Sequence, residues 1–200
     1  VVLCLPVNAS PARGIADVKA AADACPVPCA YYDVPANTGT ALALPEILEI
    51  LKHENIKACK DSSGNPLIAQ ALNSPEYRPP HVKILDGVEY HTVFSADVGY
   101  DGVLHGGGVL TGRWVRAIWE AAKRGDREQA LEMDRKRCLF LGRIYNRFGR
   151  PLQNAIGQKY ALKLLGCLES EAVCVDQALD DGSRERIRKA VEEYRTWLEP

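Results

Sequence analysis

Short apolar runs alternate with longer helical stretches along the first half of this chain, and that alternation constrains its fold more than any other feature. Val1 to Leu5 is β-rich and ends at Pro6, and Ile15 to Cys25 is alanine-rich and helical. Val27 to Val34 reads as the next strand, and Pro45 suits the first residue of a helix carrying Ile47, Leu48, Ile50 and Leu51. Asn55 to Lys60 is again a strand, Leu67 to Leu72 a short helix, Val82 to Leu85 a strand, His91 to Val98 a helix and Gly102 to Leu104 the final strand. Strands that are apolar throughout, each followed by a helix, belong to a parallel sheet buried on both faces, either doubly wound or closed. From Gly112 onward the pattern is wholly helical, over Trp114 to Lys123, Arg127 to Tyr145, Leu152 to Leu165 and Arg184 to Leu198. In the last of these, Ile187, Val191, Tyr194 and Leu198 share a face. Gly166 is placed to stop the third helix and Ser183 to cap the fourth. The pattern divides the chain into residues 1–111 and a helical remainder, 112–200.

The third strand ends in a lysine. Lys60 closes NIKACK and is followed at once by the turn-like Asp61-Ser62-Ser63-Gly64. An ammonium group loses water on burial that an apolar strand cannot replace. A lysine at such a place therefore either reaches solvent or is used. Used, its neutral amine would attack a ketone and form a Schiff base. The preceding strand ends in Tyr31-Tyr32-Asp33-Val34-Pro35, which offers a phenol at a second strand end. A carbinolamine needs such a group, because protons must move onto and off it. By strand alternation Tyr31 and Cys59 face away from Tyr32 and Lys60 and read as packing.

The segments YDVPANTG, Tyr32 to Gly39, and IKACKDSSG, around Lys60, resemble the dihydrodipicolinate synthase and N-acetylneuraminate lyase family. That family carries a tyrosine in a Tyr-x-Val/Ile-Pro motif and a Schiff-base lysine in an Ile-Lys-Asp/Glu motif. Weaker similarity continues through Ile84 to Gly87, Gly102 to Gly107 and Gly157 to Leu162. The resemblance implies a (β/α)8 TIM barrel, of which this chain supplies about strands four to eight plus a C-terminal helical extension. It also implies class I aldolase or lyase chemistry with Lys60 as nucleophile, Tyr32 as proton shuttle, and no cofactor or metal. Ser62 is a candidate for the substrate's polar tail, Gly87 and Leu104 match positions lining a 2-oxo acid pocket, and His105 is a weaker candidate at a strand end. Five strands fall short of the eight that a closed barrel needs. The chain begins abruptly on an apolar strand, so it is expected to be part of a longer protein whose carboxylate-binding loop lies elsewhere.

Two departures bear on substrate. Asn37 stands where dihydrodipicolinate synthases usually carry an arginine, and an amide cannot supply that charge-assisted bidentate bond. Val7-Asn8 follows Pro6 where those enzymes have a tyrosine pair. PANTG with KDSSG is closer to 4-hydroxy-2-oxoglutarate and 2-keto-3-deoxy sugar-acid aldolases. The expected ranking is therefore aldolase of that kind first, 4-hydroxy-tetrahydrodipicolinate synthase second, and a non-catalytic fragment or homologue third.

Bulk properties remove other classes. The chain is 46% hydrophobic and 26% charged with a formal net charge of −1, which supplies no electrostatic attraction for nucleic acid or anionic membrane. No run of apolar residues is long enough to span a bilayer. Seven cysteines, an odd number mostly inside apolar runs, read as reduced thiols of a cytoplasmic protein. Cys25 and Cys29 lack the second ligand pair a zinc site needs. The expected partners are a small 2-oxo acid and further copies of the chain, as a dimer or tetramer.

Overall fold

The computed structural model describes residues 1–147, 149, 153–174 and 177–198. They fall into two compact units, Val1–His105 and Gly106–Pro200.

The first unit is a strand–helix alternation around one parallel sheet. Its strands are β1 (Val2–Leu3), β2 (Cys29–Asp33), β3 (Ile56–Asp61), β4 (Lys83–Asp86) and β5 (Gly102–Val103). They lie side by side in chain order, every neighbouring pair parallel. Between them run α1 (Pro11–Ala24), α2 (Pro35–Thr38), α3 (Leu44–Leu51), α4 (Pro66–Leu72) and α5 (Thr92–Val98). The strands are shorter than their apolar runs. β1 covers only Val2 and Leu3, because Pro6 and the residues before it leave the ladder, and β2 begins at Cys29, since Pro28 has no N–H to donate. The one-turn helix α2, over the Pro-Ala-Asn-Thr that follows β2, has no counterpart in the sequence periodicity, being too short to show any.

Helix faces match the expected spacing. Ile47, Ile50 and Leu51 of α3 and Val18 and Ala22 of α1 are buried. A bond from Lys19 Nζ to Glu49 Oε1, 2.7 Å, joins the two helices. Asn65 caps α4 by accepting from the Leu67 and Ile68 N–H groups. At the β4–β5 end, Asp101 pairs with Arg78 and with Lys83 and accepts from the Ile84 N–H at 2.8 Å.

The second unit is helical: α6 (Gly108–Lys123), α7 (Arg127–Ile144), α8 (Asn154–Leu164), α9 (Asp181–Glu193) and α10 (Arg195–Leu198). Its core holds an aromatic group. Trp114 stacks on Trp197 at 5.2 Å and meets Tyr194 at 5.4 Å, while Phe140 meets Tyr194 edge-on at 5.8 Å. Three helix ends differ from expectation. The stretch after Ser183 is two helices, with Tyr194 as the break. Its cap is Asp180, whose side chain accepts from the Ser183 N–H at 2.6 Å, so Ser183 is the capped residue rather than the cap. α6 begins at Gly108, ahead of Gly112, because glycines hide its first turn from a periodicity reading. The expected start of the third helix, Leu152, lies outside the described residues. Gly166, with φ of +74°, terminates α8 as anticipated.

Candidate active site

Strand register decides which side chains can meet. Tyr32 on β2 pairs with Lys60 on β3, and Lys60 pairs with Leu85 on β4. In a parallel ladder, register partners project from the same face, and their sequence neighbours project from the other. Tyr32 and Lys60 are half-buried on one face, with the Lys60 ammonium 4.1 Å from the centre of the Tyr32 ring. Tyr31 and Cys59 are fully buried on the opposite face.

The ladder continues one step past the strands. Ser62 N–H donates to Asp33 O at 2.8 Å, Gly87 N–H to Asp61 O at 2.7 Å, and Leu104 N–H to Asp86 O at 2.8 Å. Ser62, Gly87 and Leu104 thus form a second row on the face of Lys60. Gly87 lies tightly against it: a β-carbon there would be 1.9 Å from Ser62 Oγ and 2.8 Å from Lys60 Cε. Any side chain at 87 would displace both, so the absence of one is what leaves room for the lysine.

What holds this row in place is a feature the motif reading passed over. β2, β3 and β4 each end in aspartate, and Asp33, Asp61 and Asp86 stand in register, all buried. They project away from Lys60, and Asp61 and Asp86 tie the chain just beyond their strands. Asp61 accepts from the Ser63 N–H at 2.9 Å and from the Tyr100 hydroxyl at 2.7 Å. Asp86 accepts from the Val88 N–H at 2.9 Å and from the Ser95 hydroxyl, with His91 Nδ1 at 3.3 Å. Asp61 and Asp86 thus each bond backbone two residues on, a turn that ends the strand and sets the next residue on the opposite face. Asp33 accepts from the Tyr31 hydroxyl at 3.2 Å. Burial, together with the charge of Asp61, pushes the Asp33 carboxyl up to about 6. The same two causes, burial and then Asp61, raise the Tyr100 phenol. The repeated Asp at strand ends, in YYD, CKD and ILD, was the available signal.

A cavity of about 290 Å³, lined by Asp61, Asp86, His91, Phe94 and Tyr100 among others, lies on this carboxylate side of the sheet. It is on the other face from Lys60, and the carboxylate oxygens lining it are already accepting the bonds just described.

The remaining candidates are placed less centrally. Asn37 is exposed on α2, its N–H donating to Val34 O at 2.9 Å. Leu104 is 51% exposed. His105 follows it, half-buried, past the end of β5. Asn8 has a role that its family position did not suggest. It adopts φ of +56°, its N–H donates to Thr38 O at 2.7 Å, and its side-chain oxygen lies where a β-carbon on Gly39 would fall. Together with Thr40 Oγ1 donating to Ala9 O at 2.7 Å, it fastens the segment after β1 to the turn after β2. Among the described residues no group of three or more metal-ligating side chains occurs, and no helix is long and apolar enough to cross a membrane.

Comparison with known proteins gives the family and the fold. Residues 10–192 match the dihydrodipicolinate synthetase family. A 4-hydroxy-tetrahydrodipicolinate synthase of Pelodictyon phaeoclathratiforme is 31% identical over 74% of this chain and 48% of its own length, and one of Chlorobium phaeobacteroides 28% over 86% and 56%. The chain therefore spans about half the length of the curated relatives it matches. The solved dihydrodipicolinate synthase of Bacteroides thetaiotaomicron superposes with a TM-score of 0.85 at 24% identity, over 96% of this chain and 65% of that one.

Proposed function

The chain belongs to the dihydrodipicolinate synthetase family, and from that membership we propose that it carries the Schiff-base half of a class I lyase acting on pyruvate or another small 2-oxo acid. The observation that supports this most directly is the register pairing of Lys60 with Tyr32, with the ammonium 4.1 Å from the phenol ring. In this reading the neutral Lys60 amine attacks the 2-oxo carbon. The carbinolamine loses water after a proton is delivered to its oxygen, and the resulting iminium accepts the electron pair as the C3–C4 bond breaks. Tyr32 is the group within reach that can carry the protons. Gly87 leaves room for the substrate carbons beside Lys60, and Ser62 offers a hydroxyl to their polar substituents.

The aldehyde partner separates two readings. The neutral, exposed Asn37 favours a small or hydroxylated aldehyde, as in 4-hydroxy-2-oxoglutarate or 2-keto-3-deoxy sugar-acid cleavage. The names of the relatives favour condensation of pyruvate with aspartate semialdehyde, as in 4-hydroxy-tetrahydrodipicolinate synthase. Parallel assays of cleavage and condensation distinguish them, and efficient condensation would mean that Asn37 does not limit the substrate. The shared mechanism is tested by incubating the full-length protein with pyruvate and borohydride. The expected result is one reduced adduct, mapped to Lys60; an adduct on another lysine, or none, rejects the mechanism.

A further inference from the structure

The cavity of about 290 Å³ on the carboxylate side of the sheet lies wholly within the first unit, at the C-terminal ends of β3 and β4. Its floor is made by the buried Asp61 and Asp86. Its walls are Ala69 of α4, Phe94 of α5 and Val88 of the loop that leads into α5, and the exposed Pro66 stands at its rim. Apolar walls that converge on a few polar groups are the usual build of a small-molecule site. An apolar cavity of about 150 Å³ is enough to take up benzene, so this one has room for a body of that size and a polar substituent.

The floor is unbalanced in charge. Asp33, Asp61 and Asp86 are buried side by side in register. Among the described residues their only ion-pair partner is His91, whose Nδ1 is 3.3 Å from Asp86 Oδ2. Buried carboxylates are ordinarily matched by cations. Accepting capacity remains as well. An ionised carboxylate has about four lone pairs, and Asp61 uses one on each oxygen, for the Ser63 N–H and the Tyr100 hydroxyl. No lysine or arginine occurs among the described residues that line the cavity. An anion placed there, a 2-oxo acid included, would face two carboxylates with no counter-charge, whereas a cation would supply the one that is missing.

We propose that the cavity between α4 and α5 is a binding site for a small primary amine with an apolar body. The ammonium donates to Asp61 and Asp86, and the body packs on Ala69, Val88 and Phe94. The site is independent of the chemistry of Lys60, which projects from the opposite face of the sheet.

The test follows the methyl signals of the full-length protein by NMR during titration with benzylamine, with benzyl alcohol and benzoate as its neutral and anionic counterparts. Benzylamine should shift the Ala69 and Val88 methyls saturably and leave those of Leu85, the register partner of Lys60, unmoved. Benzyl alcohol should bind roughly tenfold more weakly, the difference between a charge-assisted and a neutral hydrogen bond, and benzoate should not bind. Val88→Phe puts a larger side chain into the cavity and should abolish the response of Ala69. The wild-type titrations decide even where that variant folds poorly. The proposal is overturned if the Ala69 and Val88 methyls do not respond to benzylamine, or if benzyl alcohol or benzoate binds as tightly. It is equally overturned if the shifts fall on Leu85 instead, which would put the amine on the face of Lys60.

Discussion

Tyr32 and Asp33 are adjacent in sequence, yet the pleat sends them to opposite faces of the sheet and to different kinds of work. Tyr32→Phe keeps the ring beside the Lys60 ammonium and removes one hydroxyl. Turnover of the full-length protein is expected to fall by roughly 10²- to 10⁴-fold, the usual worth of a positioned proton carrier, with borohydride trapping slowed and the melting temperature nearly unchanged. Normal turnover in that variant would take Tyr32 out of the mechanism and leave Lys60 alone in it. Asp33 controls stability rather than chemistry. Its carboxyl titrates at about 6 in the fold against the usual 3.8, so between those values the unfolded chain has lost a proton that the folded chain still holds. Stability from this group is therefore complete below that window and declines as pH rises through it, by roughly 3 kcal/mol, then stays level. Asp33→Asn keeps an acceptor for the Tyr31 hydroxyl and removes the titration. The stability of the variant relative to wild type should increase between pH 4 and pH 7 in urea melts; a difference that does not vary with pH would show that Asp33 is not the group responsible.

Among elements, the ends carry the information. Each of the three central strands stops at an aspartate, and Asp61 and Asp86 bond the loop beyond theirs, which is why Ser62 and Gly87 return to the face of Lys60. Proline marked the start of α3 in the sequence, because such a signal acts through local backbone chemistry. The boundary of α9 was misplaced by a few residues because Asp180 and Ser183 are both good caps, and only the bond from Ser183 N–H to Asp180 distinguishes them. Close packing of two helices was not legible at all. Gly157 in α8 passes so near the end of α7 that a β-carbon would sit 2.1 Å from the Ile144 carbonyl oxygen. Gly157→Ala ordinarily gains helix propensity of nearly 1 kcal/mol, but here the collision should dominate and cost about 1 to 3 kcal/mol net. All the tryptophans, Trp114, Trp119 and Trp197, belong to this unit, so a lowered midpoint of their fluorescence change in urea is the expected reading. A midpoint raised by the alanine would mean that the helices separate at no cost.

At the scale of the molecule, the sheet has five strands in chain order and β1 and β5 as its outer members, where the barrel of the family has eight. The residues gathered around Lys60 supply an amine, a phenol and a hydroxyl, but among the described residues none of those gathered beside Tyr32 and Lys60 is an additional cation for a substrate carboxylate. Calorimetric titration of the 200-residue chain with pyruvate should accordingly give weak binding or none, and a tight complex would show that the carboxylate site is complete within these residues. The amino-acid sequence by itself determined the parallel α/β class, the helical second half, and the strand-end positions of Lys60 and Tyr32, because apolar runs, prolines and a stranded lysine act through local backbone geometry and desolvation. Only the tertiary structure decided that Tyr32 and Lys60 are register partners, that Gly87 presses on the lysine stem, that three aspartates share a buried row, and that a cavity lies over two of them. These depend on strand register and on contacts between distant segments, which no local pattern encodes.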